Sequence, residues 1–521
     1  MTTFYNKVRR YIGQLSYYFD RLNVDAADVL NKVARKESAI PHIFGILMVY
    51  MSIALFFPYA VSMYYGEDPR PWIFPMLLSL LIGLMLLMRY RSPENTRPTE
   101  AMFVVATGWL ALTVLGAIPF VMHGMGVIDA IFETMSGFTT TGSSIMMDIE
   151  SWPKSILFWR SFTQWLGGAG VIMIFVTILP MLGVGGRNLF KNEFPGLDVQ
   201  NFSARIQEEA RKFHYIYGSL SLLQLVLLLI TGIGVFDSFC VMFSTMSTGG
   251  LSPHSESIAF YGSASVEWIV IIFMFLAGTN FYLHFQAIVT RDPKRYLRNT
   301  EFRIYLLLVL AATAIITVVL WETAFYDLFD GVRTSMFQVV SLMTSTGFAT
   351  TNYLGWDQAV VFILVALLII GGSTGSTAGG LKVARFFLAR EFIASALHKT
   401  VHPRSIFTVK IDGRPLSQEA LSSVVAMVMC YFATALVSVV MLILLGIDPT
   451  TSLSAAFATL SNTGPGLGEL GPYGSFGGLP DAAKLVLTFT MWAGRLEFIS
   501  VLVLFTPVFW HELMRYREKY V

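Results

Sequence analysis

Charge is scarce in this chain. Only 13% of its 521 residues are Asp, Glu, Lys or Arg, against 55% hydrophobic, and the mean hydropathy is +0.62. That scarcity excludes a soluble domain, of which about a quarter is charged. Cysteine is nearly absent: Cys240 and Cys430 each sit in an apolar run without a metal-type neighbour, so a disulfide framework is excluded and both are expected to be small buried hydrophobes. No Walker loop or nucleophile-and-base set occurs, which argues against enzyme chemistry and against nucleotide binding by this chain, and nothing points to nucleic acid. His254 and His284 lack a second ligand at metal spacing, so no transition-metal site is expected. The first residues are expected to be neither signal peptide nor span. The first 38 residues carry Lys7, Arg9, Arg10, Asp20, Arg21 and Asp25 with no apolar run, and read as a cytoplasmic amphipathic arm.

Long apolar runs are abundant instead. They fall at 40–64, 72–88, 101–123, 154–183, 213–236, 264–290, 303–321, 357–395, 421–446 and 483–510. A bilayer-spanning helix needs about 20 such residues, so the runs predict ten membrane helices or broken helices, the first two forming a hairpin. The loops sort by charge. One set holds Arg89, Arg91, Arg97, Arg187, Lys191, Arg205, Arg211, Lys212, the basic stretch 290–303, the cations from Lys382 to Arg414, and the tail's Arg515, Arg517 and Lys519. The other set holds Glu67, Asp68, Asp148, Glu150, Glu256, Glu322, Asp327 and Asp330, with Arg70, Lys154, Arg333 and Lys484 as the main exceptions. The positive-inside rule then places both termini in the cytoplasm.

Past residue 100 the runs come in pairs, each enclosing a shorter stretch that ends in a Thr-Gly turn: IDAIFETMSGFTTTGSS, VFDSFCVMFSTMSTGGLS, DGVRTSMFQVVSLMTSTGFAT and TTSLSAAFATLSNTGPGLG. Aligned on glycine, Gly142, Gly249, Gly347 and Gly464 recur about every hundred residues, a domain-scale duplication. Phe132, Phe239 and Phe337 stand at one offset before the glycine, with Ser454 in the fourth copy, while Thr140, Ser247, Ser345 and Asn462 stand two before it. Each unit reads as helix, half-helix, turn, helix. The half-helix is too short to cross a bilayer, and the non-helical backbone that follows is tolerated at membrane depth only inside protein or along a water-filled cavity. Four such loops around one axis satisfy one another. The resulting fold class is an all-α membrane protein, with four pseudo-symmetric helix-pore loop-helix units around one pore plus an N-terminal two-helix hairpin.

A dehydrated monovalent cation needs oxygen ligands, and carbonyls from four loops can replace its water. Glycine lets the backbone aim those carbonyls inward, and neighbouring Thr or Ser hydroxyls add oxygens without fixed charge. The layout over roughly residues 100–510, with TTTGSS, STGG, TSTGF and SNTGPGLG, resembles the TrkH, KtrB and HKT superfamily of cation transporters. The extra hairpin is similar to the TrkH-type subunit. The resemblance implies uptake of potassium, the ion held by Thr140, Thr141, Gly142, Ser247, Thr248, Gly249, Ser345, Thr346, Gly347, Asn462, Thr463 and Gly464, with glycine in all four turns favouring potassium over sodium. Passive gated conduction and proton- or sodium-coupled symport both remain open, the parallel repeats pointing to the former; Glu133 and Glu497 are the only candidate intramembrane acids.

Two features invite a gate. GGSTGSTAGG at 371–380 interrupts an apolar run, and glycine costs about 1 kcal/mol per helical position, so the helix should break there. The bland alternative is close packing of helices through small residues. By resemblance, Gly371, Gly372, Gly375, Gly379 and Gly380 form an intramembrane gating loop with Arg495, read as near the centre of the last helix, as barrier or latch; a salt bridge from Arg495 to Glu133 or Glu497 is the alternative. Arg160, Gln164 and Trp165 either support the filter or are plain structure, and the 290–303 loop serves topology or docking. The resemblance further implies a homodimer in a bacterial inner membrane and a cytoplasmic TrkA-type nucleotide-binding ring as partner, so that nucleotide acts only through that partner. The expected parts are an arm (1–39), the hairpin (40–98), pore units at 99–199, 200–300 and 301–415, the last with the gating loop, and a fourth unit with the tail (416–521).

Overall fold

Glycine sets the first contact. Helix α1 (Ala39–Tyr65) and helix α2 (Arg70–Arg89) turn back on each other through Gly66, whose φ of 70° closes α1 in the left-handed region. Gly45 and Gly83 meet across the pair: a Cβ on Gly83 would stand 3.0 Å from the Gly45 carbonyl, so the backbones approach as small residues allow in a membrane. Glu67 then accepts hydrogen bonds from the amides of Lys154 (2.6 Å) and Ser155 (3.0 Å), and the buried Trp72 indole donates to the Ser155 hydroxyl. The hairpin therefore docks on the N-terminus of helix α5 (Lys154–Thr177), where a carboxylate satisfies free amides and the helix dipole together.

The computed structural model describes residues 36–91, 98–177, 202–323, 327–402, 409–412 and 414–514. The expected N-terminal arm, apart from its last residues, lies outside them, as do Arg97, Arg187, Lys191, Arg404 and the tail cations. Strand pairing among the described residues is confined to two short ladders, Lys36–Glu37 beside Tyr90–Arg91 and Lys410–Ile411 beside Arg414–Pro415. Everything else of regular structure is helical.

The first unit is α3 (Pro98–Met122), the half-helix α4 (Val127–Phe138) and α5. The second is α6 (Phe202–Ile230), half-helix α7 (Val235–Met246) and the pair α8 (Ala264–Ala277) and α9 (Phe281–Thr290). After the short α10 (Lys294–Arg298) comes the third: α11 (Thr300–Thr323), half-helix α12 (Leu328–Met343), α13 (Gln358–Ile370) and α14 (Val383–Val401). The fourth is α15 (Gln418–Leu444), half-helix α16 (Pro449–Leu460), α17 (Asp481–Arg495) and the short α18 (Ile499–Leu502), followed by α19 (Pro507–Met514). The chain is thus a multi-pass, all-helical membrane protein with four pseudo-symmetric units around one pore.

Among the described residues six helices are single apolar spans, and α8 with α9, bent by 95°, makes a seventh. The expected runs at 357–395 and 483–510 are not single helices. The first breaks at its glycines, and the second at Glu497 (φ 60°) and Phe498 (φ 41°), so Arg495 ends α17 and does not lie mid-helix. Cys240 is buried as expected, whereas Cys430 is only partly so.

Candidate functional site

Each half-helix begins with an acid and ends in the membrane. Asp129, Asp237 and Asp330 lie in the first turns of α4, α7 and α12, and the Asp448 side chain caps α16 by accepting from the Thr451 amide at 2.9 Å. Three of the four are 12 residues long, about 18 Å at 1.5 Å per residue, against a hydrocarbon layer of about 30 Å. Their C-terminal ends, the negative ends of the dipoles, converge where the turns begin.

Backbone conformation fixes the register of those turns. Thr140, Thr248, Ser345 and Asn462 have φ of 52°, 53°, 56° and 52°, and two residues later Gly142, Gly250, Gly347 and Gly464 have φ of 84°, 74°, 83° and 92°. Left-handed geometry is rare for non-glycine residues and persists where the surroundings hold it. The residue between is tied back alike in all four: the amides of Thr141, Gly249, Thr346 and Thr463 donate at 2.8 to 2.9 Å to the carbonyls of Ser136, Ser244, Ser341 and Ala458. The second turn is therefore displaced by one from the sequence alignment. Gly250 is the counterpart of Gly142, not Gly249, Ser247 is the end of its half-helix, and Cys240, not Phe239, occupies the place of Phe132 and Phe337.

In this register the turns form a closed ring. A Cβ on Gly142 would run into the Gly249 carbonyl, one on Gly250 into that of Thr346, one on Gly347 into that of Thr463, and one on Gly464 into that of Thr141. Each unit's glycine backs onto the next unit's carbonyl, and only a residue without a side chain fits. The segments are buried and carry no fixed charge. The Thr140 and Thr463 hydroxyls have no hydrogen-bond partner among the described residues.

Side chains of α5 brace the ring. Arg160 pairs with Glu133 at 2.7 Å and donates to the Ser144 hydroxyl and the Ser252 carbonyl. Gln164 donates from Nε2 to the Gly249 carbonyl (2.6 Å) and accepts from the Leu251 amide (3.1 Å). Trp165 does not reach the ring; its indole donates to Ser221 on α6. His284 is buried between the Tyr296 hydroxyl and the Leu276 carbonyl, and His254 lies 3.3 Å from Asp237.

The loop between α13 and α14 lies against the ends of three half-helices. Thr377 donates to the carbonyl of Met246 at 3.1 Å, the Gly379 amide donates to the Ser345 hydroxyl at 2.5 Å, and the Gly380 amide to the Ser461 carbonyl at 2.9 Å. Arg495 Nη1 donates to the Thr377 carbonyl at 2.8 Å, while Glu133 is taken by Arg160 and Glu497 by Arg385 at 2.5 Å. Arg495 has no carboxylate partner among the described residues, and its Nε and Nη2 are unpartnered there. Lys382 Nζ donates to the Ala378 carbonyl, and Glu301 holds Thr374 through its amide and hydroxyl at 2.7 Å each. The cavity beside this loop, lined by Gly379, Asn462, Arg495 and Glu497 among others, measures only about 20 Å³, room for about one water. A far larger cavity of about 1180 Å³ lies between α1, α3, α5 and α7, lined by side chains such as Phe57, Phe162 and Phe243; it offers a cation no cluster of oxygens.

Sequence reasoning missed two features here. The α8–α9 break at Gly278–Asn280 was signalled by Gly-Thr-Asn inside an apolar run, with Asn280 capping α9 by accepting from the Tyr282 amide. The Arg385–Glu497 pair joins residues far apart in sequence and had no local signal.

The family model described as "TrkH: Cation transport protein" matches residues 74–512. Among curated proteins, the chain is 35% identical to the Trk system potassium uptake protein TrkH of Salmonella typhimurium, over 91% of this chain and 99% of that one. It is 30% identical to the Trk system potassium uptake protein TrkG of Escherichia coli K12, over 90% and 98%. Among solved structures, the crystal structure of the potassium transporter TrkH from Vibrio parahaemolyticus superposes with a TM-score of 0.83 at 33% identity, over 90% of this chain and 99% of that one.

Proposed function

The chain belongs to the TrkH family of cation transport proteins, and from that premise we propose that it takes up potassium across the inner membrane, the ion passing through the ring of four turns. The observation that carries the reading is the closed succession of glycine against carbonyl, Gly142 to Gly249, Gly250 to Thr346, Gly347 to Thr463 and Gly464 to Thr141. Alternating left-handed residues turn carbonyls to one side, and a ring of carbonyls replaces the hydration shell of a monovalent cation. Four helix C-termini add negative potential without a fixed anion that would trap the ion. The residues assigned to the ion are Thr140, Thr141 and Gly142; Thr248, Gly249 and Gly250; Ser345, Thr346 and Gly347; and Asn462, Thr463 and Gly464.

The glycine-rich loop is the gate in this proposal and Arg495 its latch, through the Thr377 carbonyl. Passive conduction is favoured over coupled symport because both candidate acids are held by arginines, Glu133 by Arg160 and Glu497 by Arg385. The names of the relatives support potassium as the ion. The distribution of cations supports cytoplasmic termini, and the likeness to TrkH-type subunits supports a homodimer regulated by a TrkA-type nucleotide-binding ring. The test is rubidium and sodium flux into proteoliposomes. Gly142→Ser, Gly250→Ser and Gly347→Ser should each lower the preference for rubidium over sodium, and wild-type preference in all three would overturn the assignment.

A further inference from the structure

Three of the four turns place threonine before their glycine: Thr141, Thr346 and Thr463. The second places Gly249 there. Its backbone does not demand glycine, since Gly249 lies outside the left-handed region that the neighbouring Thr248 and Gly250 occupy. What excludes a side chain is a neighbour. A Cβ on Gly249 would collide with the amide of Gln164, 2.6 Å from Nε2 and 2.7 Å from Oε1.

In the first and third units the threonine side chain is tied to the end of its own half-helix, Thr141 to Thr139 and Thr346 to Thr344 at 2.7 Å each. The second turn has no such side chain. Gln164, wholly buried, takes up the task from outside: Nε2 donates to the Gly249 carbonyl at 2.6 Å and Oε1 accepts from the Leu251 amide at 3.1 Å, clasping the strand on both sides of Gly250. Gly249 is also the only one of the four equivalent carbonyls that accepts a hydrogen bond among the described residues. One carbonyl in the ring thus shares its electrons with an amide, while its three counterparts keep theirs for an ion.

We propose that Gln164 is a positioning residue for ion preference: contributed by the first unit, it stands in for the threonine side chain missing from the second turn and sets the field strength of that quadrant. The inference rests on reading the ring as an ion filter. Selectivity depends on the number and field strength of the coordinating carbonyls, so loosening one strand by a buried hydrogen bond changes it without closing the path.

The experiment is rubidium against sodium flux in proteoliposomes for Gln164→Met, Gly249→Thr, and Gln164→Ala combined with Gly249→Thr, with Gly142→Ser in parallel. Gln164→Met keeps the volume and removes both hydrogen bonds; rubidium preference should fall about three- to tenfold, the scale of one net hydrogen bond, with unchanged yield and elution profile. Gly249→Thr alone should lose preference through collision with Gln164. The double variant, which restores Thr-Gly to the second turn and clears the space, should regain it. Wild-type preference in Gln164→Met, or a double variant no better than Gly249→Thr, would overturn the proposal. If Gly142→Ser alters ion preference while Gln164→Met does not, this inference alone falls; if neither does, the filter reading falls with it.

Discussion

The ion pair of Arg160 with Glu133 is almost fully withdrawn from solvent, with side-chain exposures of 1% and 0%. Glu133 also accepts from the Ser144 hydroxyl at 3.0 Å and the Ile145 amide at 2.9 Å, so the pair anchors the strand just beyond Gly142. Removing one partner of such a pair leaves a buried charge uncompensated and costs about 3–5 kcal/mol. Glu133→Gln is expected to destabilise the detergent-solubilised protein on that scale, seen as a lower thermal unfolding midpoint than that of Glu322→Gln at the exposed end of α11. At this scale the sequence was partly legible. The run FWRSFTQW drew attention to Arg160 and Gln164, but their partners come from other segments and could not be read. The one-residue slip at the second turn has a plain cause: two adjacent glycines were available and Phe239 fell by chance at the offset of Phe132. The acids resolve it, since Asp237 stands to Gly250 as Asp129 stands to Gly142.

Among the elements, the membrane helices were legible wherever hydropathy alone decides them, as in α1, α2 and α15, and a broken span was legible where glycines are dense, at 371–380, but not at 278–280 or 497–498. Glycines mark where these helices press on the half-helix ends, whether the helix breaks there or not. A Cβ on Gly168 would press on Ser247, and one on Gly278 on Thr344, each at the end of the next unit's half-helix. Gly494 stands to the Leu460 carbonyl as Gly167 stands to that of Phe138, which puts Arg495 where the first unit has Gly168. The fourth unit therefore carries a guanidinium where another unit has no side chain. Its hydrogen bond to the Thr377 carbonyl holds the α13–α14 loop against the ring. Arg495→Ala is expected to raise basal rubidium flux in the absence of any regulatory partner, by about tenfold if one charged hydrogen bond of about 1.5 kcal/mol holds the closed loop. Gly379→Ala, whose Cβ would strike the Ser461 carbonyl, should act in the same direction. Unchanged flux in both would separate the loop from the gate.

Across the whole molecule the units are fastened at their acid-rich rim. Lys484 of the fourth reaches Asp129 of the first at 2.6 Å, Arg333 of the third reaches Glu267 of the second at 2.9 Å, and the Tyr353 hydroxyl of the third donates to the Gly466 carbonyl of the fourth. First and second are joined by Glu150, which accepts from the Ser255 amide at 2.8 Å and from its hydroxyl at 2.5 Å. Partial burial pushes the Glu150 carboxyl up, but the two bonds from Ser255, together with its own amide and the nearby His254, hold the group below its ordinary value. A carboxyl with a depressed folded pKa contributes stability above its unfolded value and loses it as pH falls through the folded one. The wild type should lose thermal stability between about pH 5 and 3 more steeply than Glu150→Gln, checked by melting both across that range. Equal slopes would remove Glu150 from the account. Loop charge and the recurring turns made the four-unit plan readable from sequence; these cross-unit ties join residues up to hundreds of positions apart and were not.

The ring closes within one polypeptide, and this has a genetic consequence. In an assembly of identical chains one codon change alters every quadrant at once. Here it alters one. Gly249 beside Gln164, and Asn462, whose amide donates at 2.9 Å to the Thr141 hydroxyl, are single-quadrant departures of that kind. Inheritance can thus tune such a ring a quarter at a time, and a harmful change in one quadrant can be offset by a second change in its neighbour.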